Sequence, residues 1–597
     1  MKITHIKKGA VLLFVLAGVL SQTLPTARTS STTPTPPPQN IPITPNVPSD
    51  IAQPANLQNA ATFAWQEFIA LNWPAVQQTG RVNTRESPDT SKRFGDPNYN
   101  GPLVWHTFRG KVEIFPGTGN PPGYVNNAAA SYGYDAPPSY IYSPTAPPNG
   151  VGTPGGQVLP FTPNPNPPPL GAPTPWINLD ENSEIGVTTM YAGNAPNTGS
   201  PGQIILFLAK ANRTEYNYVA KNQWWNDATG ARSAAINNTQ TYISDKKQDP
   251  PAGSSSYVSF PNGTIELKAA WRKLTPAEIN SKRFYTTRAR YYRTIQSGTN
   301  KGKPGYVDDV FGLVGLHIIQ KTPSAPYFIY ATFSQADNLL DVNGNRVEDE
   351  NGLVLPPYQN AQPLSPVVVS QNATSADPAT PSSIQHFTPL MSNINPNKRL
   401  YYINTVTTPK PPPTTQGKVA VNKRIHDIPQ TIINANRAAH AAIAAYNQRQ
   451  GIPSSPWLYY KLVNVQYAPY DKPPGITYRG LSGGPDPSTY YQANEVIETD
   501  HVLQVFSGQF QPQLSPPNQG INRFGLITDY QPDGTVFKNV QFNGKGYLMG
   551  GCMGCHGNAQ FGGVGFSFIF GGGPVPAPET DDPPTSLDKF VRLFAGH

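Results

Sequence analysis

Apolar positions recur at helical spacing through residues 57–73, where Leu57, Ala61, Ala64, Trp65, Phe68, Ile69 and Leu71 share one face and Pro74 closes the run. That pattern predicts a helix. A second helix is predicted at 429–451. Pro429 stands where a first-turn proline belongs, Ile432, Ala435, Ala439, Ala442 and Tyr446 form one face, and Gly451 ends it. Elsewhere the pattern is that of strands, short and rich in β-branched and aromatic residues. These are QIILFLA (203–209), 257–260 and 264–267 flanking the turn Pro261-Asn262-Gly263, FGLVGLHIIQKT (311–322), YFIYATF (327–333), 399–407 and 457–467. A short final helix is predicted at 587–594.

Long Pro/Gly stretches at 116–178 and 357–396 read as loop insertions within this pattern. No internal repeat at solenoid or propeller spacing is present. The expected fold class is α+β: a large domain dominated by antiparallel sheet, with a few helices and a C-terminal haem c segment packed against it. The expected organisation is a leader at 1–21, a Thr/Pro-rich tether at 22–55, the β-rich domain at 56–500 and the C-terminal segment at 501–597. The tether composition cannot bury apolar area and predicts a semi-extended chain. With 68 Pro and 52 Gly against 13% charged residues, the chain is loop-rich.

Lys2, Lys7 and Lys8 precede an uninterrupted apolar run, AVLLFVLAGVL (10–20), and Val19-Leu20-Ser21 offers a cleavage site. The run is far short of the ~20 residues needed to cross a bilayer, so it reads as a secretory signal peptide. No cysteine follows it to accept a lipid. With those lysines removed, the formal net charge of +8 falls to +5. No dense Lys/Arg block argues for nucleic acid. The expectation is an exported protein, periplasmic or secreted, with no integral membrane span once the leader is gone.

The chain has two cysteines, and they stand in Cys552-Met553-Gly554-Cys555-His556. This C-x-x-C-H spacing is that of covalent haem c attachment. Two thiols three residues apart meet vinyl groups on neighbouring pyrroles, and the adjacent imidazole reaches the iron from one face. The competing reading, a redox C-x-x-C pair or a surface disulfide, lacks a thioredoxin-like strand-then-helix context and gives His556 no role. The sequence therefore predicts one haem c, attached at Cys552 and Cys555, with His556 as axial iron ligand.

The motif resembles that of small class I cytochromes c, which carry it near their start with a methionine ligand downstream. Here the preceding QFNGKGYLMGG (541–551) is glycine-rich, and residues 557–597 contain no methionine. Met549 and Met553 are too near the motif to reach the opposite face. The sixth position is thus open, held by a histidine, or held by another group of the main domain. Among His106, His317, His386, His426, His440, His501 and His597, the candidates ranked first are His317, in a glycine-punctuated strand, and His501, at the end of a polar stretch. Histidine ligation or an open site sets a lower potential than His/Met ligation does.

Several further stretches are similar to a group of large exported bacterial proteins of the cytochrome c family. They are FAWQEFIALNW (63–73), IELKAAW (265–271), GLVGLHIIQKT (312–322) followed by Ala331-Thr332-Phe333, the CMGCH motif and Gly565-Phe566-Ser567-Phe568. The resemblance implies that the haem motif and the β-rich domain belong together, and it brings no substrate.

Two other patterns were weighed. Asp341-Val342-Asn343-Gly344-Asn345, with Asp349 and Asn351, alternates oxygen ligands as calcium loops do, but Arg346 occupies the position where an EF-hand needs glycine, so a polar surface loop is expected. The 30 Tyr, 25 Phe and 8 Trp could line a groove, yet most fall in strands, where aromatics serve as core and cross-strand partners. Periplasmic electron transfer to a redox partner protein is the first functional expectation. The alternative is a haem oxidoreductase acting on peroxide or oxygen through an open sixth position, and a binding module with an ancillary haem stands third.

Overall fold

The computed structural model describes residues 40–77, 84–142, 173–181, 188–192, 203–246, 248–295, 297–298, 301–338, 346–359, 401–404, 415–418, 427–468, 494, 540–542, 545–547, 552, 556–557, 559–560 and 562–580. The extended segments form one eleven-stranded sheet and a separate two-stranded one. Strands of the large sheet are β1 (Arg109–Gly110), β2 (Ile177–Leu179), β3 (Thr188–Ala192), β4 (Gln203–Ala211), β5 (Ile265–Arg272) and β6 (Thr286–Thr294). They continue with β7 (Pro304–Gln320), β8 (Ile329–Gln335), β9 (Tyr401–Asn404), β10 (Thr415–Lys418) and β11 (Tyr460–Gln466). The small hairpin pairs β12 (Val540–Phe542) with β13 (Lys545–Tyr547).

Strand order is β10-β9-β3-β4-β5-β7-β6-β2, with β8 on β7, β11 on β8 and β1 on β4. Every pairing is antiparallel except β2 with β6. The hub is β7, 17 residues long. Its first half pairs with β6 and its second half with β5 and β8, and Gly312 is paired on both sides. The fold is α+β with a largely antiparallel sheet, as the alternating apolar runs predict.

Eight helices accompany the sheet among the described residues: α1 (Leu57–Leu71), α2 (Lys111–Ile114), α3 (Arg213–Asn222), α4 (Ala231–Lys246), α5 (Pro276–Ser281), α6 (Pro356–Gln359), α7 (Gln430–Gln450) and α8 (Phe568–Gly572). The Asn56 side chain caps α1 by accepting from the Asn59 N–H, and the helix buries Phe63, Trp65 and Phe68. Pro429 is the N-cap of α7 rather than a residue of its first turn, and Gly451 ends the helix in the left-handed conformation, φ 64°. Helix α7 covers the edge of the sheet at β11. Asn436 accepts from the Leu462 N–H at 3.0 Å and donates to its carbonyl at 2.9 Å, which satisfies an edge that would otherwise be open to pairing. None of the helices is long and apolar enough to cross a membrane.

Several expectations are revised. The tether does not extend to residue 55, because Ile41 and Ile51 are buried in the core and Gln320 Nε2 donates to the Pro48 carbonyl at 2.9 Å. Two isoleucines supply the apolar anchor that the surrounding prolines disguise. Residues 257–260 do not pair with 264–267. A turn does occur, with Gly263 at φ 86° and Thr264 N–H bonded to the Pro261 carbonyl, but β5 takes β4 and β7 as its partners. Helices α3 and α4 were not foreseen. In α4 the buried residues Ala235, Thr239 and Ile243 make a stripe one residue wide, too narrow for a clear apolar period. The leader and the helix predicted at 587–594 lie outside the described residues.

Candidate functional site

The two faces of the central sheet differ in chemistry. Residues directly opposite in an antiparallel ladder share a face. One face carries Leu206, Leu208, Leu267, Ala269, Trp271, Leu316, Ile318, Ala331 and Phe333, and α1 packs there with Trp65 and Phe68 against Phe333. The other is mixed: beside Phe207, Ala209 and Ile319 it carries Glu266 and Lys268 of β5, His317 of β7, Tyr330 and Thr332 of β8, and Asn464 and Gln466 of β11. Of these, Glu266, His317, Tyr330, Thr332, Asn464 and Gln466 are buried. A polar row of this kind is costly to bury and requires polar partners in whatever covers it.

The C-terminal segment contributes to that cover. His556 lies in helical backbone, its ring 4.9 Å from the Tyr330 ring and 4.8 Å from that of Phe568. Its Nδ1 is 2.6 Å from the Phe566 carbonyl oxygen. A carbonyl only accepts, so Nδ1 carries the proton of this bond; in the neutral imidazole that makes Nε2 the nitrogen of metal-ligating type. Phe566 makes this bond from a left-handed backbone (φ 71°) with its ring buried near Phe328. For a bulky residue that conformation costs on the order of 1–3 kcal/mol and persists only where the surroundings impose it. Cys552 is half-buried against the hydrophobic core.

Downstream, the segment is part of the main core. Phe570 is fully buried among Phe115, Trp224 and Phe260, and the Arg232 guanidinium lies 4.8 Å above its ring. Glycine is required at 563, where φ is +78° and a Cβ would fall 2.4 Å from the Ile236 carbonyl of α4. The segment and the sheet therefore belong to one compact unit.

His317 sits opposite Lys268 on one side and Thr332 on the other, one residue pair along from Tyr330. Burial holds its imidazole well below the usual histidine range, and Lys268, with His556 when protonated, acts in the same direction. The two histidines are thus near enough to influence each other's charge. Of the motif residues, His556 lies on the sheet face that carries His317, through its contact with Tyr330. Cys555, Met549, Met553, His386, His426, His501 and His597 lie outside the described residues.

The other described histidines have structural work. His440 uses both ring nitrogens, Nδ1 at 2.8 Å from Asn351 Oδ1 and Nε2 at 2.8 Å from the Tyr460 carbonyl. His106 is boxed in by Trp105, Trp271 and Tyr285, and burial pushes its pKa well below the usual value. Of the residues weighed for calcium, 341–345 lie outside the described residues; Asp349 Oδ1 accepts from the N–H groups of Asn351 and Leu353, both at 2.8 Å. Glu350 pairs there with Arg346. Among the described residues no cluster of three or more His, Cys, Asp or Glu could hold a bare metal ion. A porphyrin supplies four of the iron's ligands itself, so the requirement on the protein falls to one or two axial groups, and His556 with its Nδ1 engaged is of the type that meets it.

Tyr330, Phe566 and Phe568 form the setting of His556 and were not singled out as site residues. The alternation of YFIYATF places Tyr330 on one strand face, but only sheet register reveals that this is the face His556 meets. In comparisons with protein-family models, curated proteins and solved structures, the chain matches none.

Proposed function

We propose that this is an exported monohaem c-type protein, related to the large cytochrome c family proteins it resembles, that carries electrons to or from a periplasmic redox partner. The observation that carries this reading is the C-x-x-C-H motif together with the hydrogen bond from His556 Nδ1 to the Phe566 carbonyl. The motif supplies two thiols at haem c spacing, and the bond leaves Nε2 as the ligating nitrogen. Cys552 and Cys555 are the attachment residues and His556 the axial ligand. Bound there, the haem supplies one-electron redox chemistry.

The protein's own contribution is orientation and exclusion of water. Tyr330 and Phe568 hold the imidazole plane, Phe566 sets its tautomer, and the buried sheet face lowers the local dielectric. These are the levers by which a protein tunes a potential.

The test is a pyridine-haemochrome assay on protein exported from a host with cytochrome c maturation. One haem per chain, resistant to acid-acetone extraction, is expected. Cys552→Ala or Cys555→Ala should shift the spectrum to that of a single thioether, and the double variant should lose covalent haem. Wild-type protein without covalent haem would overturn the reading. Catalytic consumption of peroxide or oxygen would move it from electron carrier to oxidoreductase.

A further inference from the structure

We infer that His317 is the second axial ligand, so that the haem is held between a strand of the central sheet and the C-terminal segment. The inference rests on the haem reading above and adds the residue on the opposite side of the iron. Its basis is register. His317 pairs with Thr332, and Ile319 pairs with Tyr330, so Tyr330 is the diagonal neighbour of His317 on the same face. Such diagonal pairs lie roughly 7–8 Å apart. The His556 ring rests 4.9 Å from the Tyr330 ring, so both histidines neighbour the same tyrosine.

Among the described histidines, His317 is the one whose sheet position neighbours the tyrosine that His556 touches, whereas His106 and His440 are committed elsewhere. His317 is also rigidly placed. It lies where β7 is hydrogen-bonded to β5 and β8 at once, and a ligand on a doubly paired strand keeps its position when the metal changes oxidation state. A His/His pair makes the iron low-spin and closes it to small molecules, which suits electron transfer better than peroxide or oxygen chemistry.

The experiment uses the full exported chain loaded with haem, as wild type, His317→Ala and His317→Met. The wild type should be low-spin, with the near-infrared and electron-paramagnetic signature of bis-imidazole ligation, and its ferrous form should ignore carbon monoxide. His317→Ala should retain one covalent haem, turn predominantly high-spin, bind carbon monoxide and regain the low-spin spectrum with added imidazole. His317→Met should raise the reduction potential and replace the near-infrared band by that of His/Met ligation. Wild-type protein lacking covalent haem would refute the haem reading itself. Haem-loaded wild type that is high-spin or shows a non-histidine ligand would overturn the inference alone, even if neither variant folds. So would haem-loaded variants that keep the bis-imidazole signature, with His501→Ala then changing it.

Discussion

Replacing Phe570 by alanine tests whether the C-terminal segment is part of the core or an appendage to it. Phe570 is fully buried, with ring centroids 5.9 Å from each of Phe115, Trp224 and Phe260, and the Arg232 guanidinium covers its other side at 4.8 Å. Truncating a buried phenylalanine removes its transfer free energy and leaves a cavity, together about 3–5 kcal/mol. The aromatic contacts come from three separate stretches of chain, so collapse around the void would need concerted movement, which favours the upper part of that range. Other ties hold the segment as well: Val564, Phe566 and Ile569 are buried in the same core, Arg232 donates to the Phe570 carbonyl, and hydrogen bonds run from Val575 N–H to the Phe115 carbonyl at 2.9 Å, from Gln240 Nε2 to the Gly562 carbonyl at 3.0 Å and from Glu579 N–H to the Asp180 carbonyl at 3.2 Å. Much of the loss should appear as local opening of residues 556–580. At one decade per 1.4 kcal/mol, opening becomes roughly two to four decades more frequent. Limited proteolysis and native-state hydrogen exchange read that frequency directly when reclosing is fast. Val310→Ala, at a half-exposed position, serves as a control expected to stay within ~0.5 kcal/mol of wild type. If Phe570→Ala accelerated cleavage less than tenfold and left the denaturation midpoint unchanged, the segment would not be docked as described.

Asn436 is a second point of leverage. It accepts from Trp65 Nε1 and the Leu462 N–H, and donates to the Asn351 and Leu462 carbonyls, all at 2.8–3.0 Å. Asn436→Ala strands four polar groups, three of them in buried bonds, and should cost about 3 kcal/mol by denaturant titration; a loss below about 1 kcal/mol would contradict the edge-capping role. The buried pair Arg85–Glu113 gives a pH signature. Burial alone would raise the Glu113 pKa, but the charges of Arg85, Arg109 and Lys210 outweigh it and hold the carboxyl below its usual value. The resulting stability is fully present above the unfolded-state value near 4.5 and is lost as pH falls through the folded-state value. Glu113→Gln, which leaves the Arg85 charge buried, should cost about 3 kcal/mol at pH 7 and progressively less relative to wild type on acidification. An equal gap at pH 7 and pH 3 would show that charge is not the cause.

The sequence by itself determined the local elements whose signals are strong. The apolar period of α1, the proline and glycine that bracket α7, and the β-branched runs of β4, β7, β8 and β11 all predict the element that forms, because in each the local pattern and the tertiary environment agree. It also carries the haem proposal, since the spacing of Cys552, Cys555 and His556 is a property of the covalent chain. Less was legible where a few buried side chains decide the outcome. Ile41 and Ile51 are isolated among prolines, and the narrow stripe of α4 lacks a periodic signal.

Tertiary structure alone decided which face of the sheet is polar, what lies against it and how His556 is held. Register sets the first. A shift of one residue would have sent His317 and Tyr330 to the face that packs on α1. The carbonyl that orients His556 comes from Phe566, ten residues away, in a backbone conformation its own sequence does not favour. Neither relation is local along the chain. Pairing partners and buried packing are chosen by the whole sheet at once, whereas covalent spacing and helical period are written residue by residue.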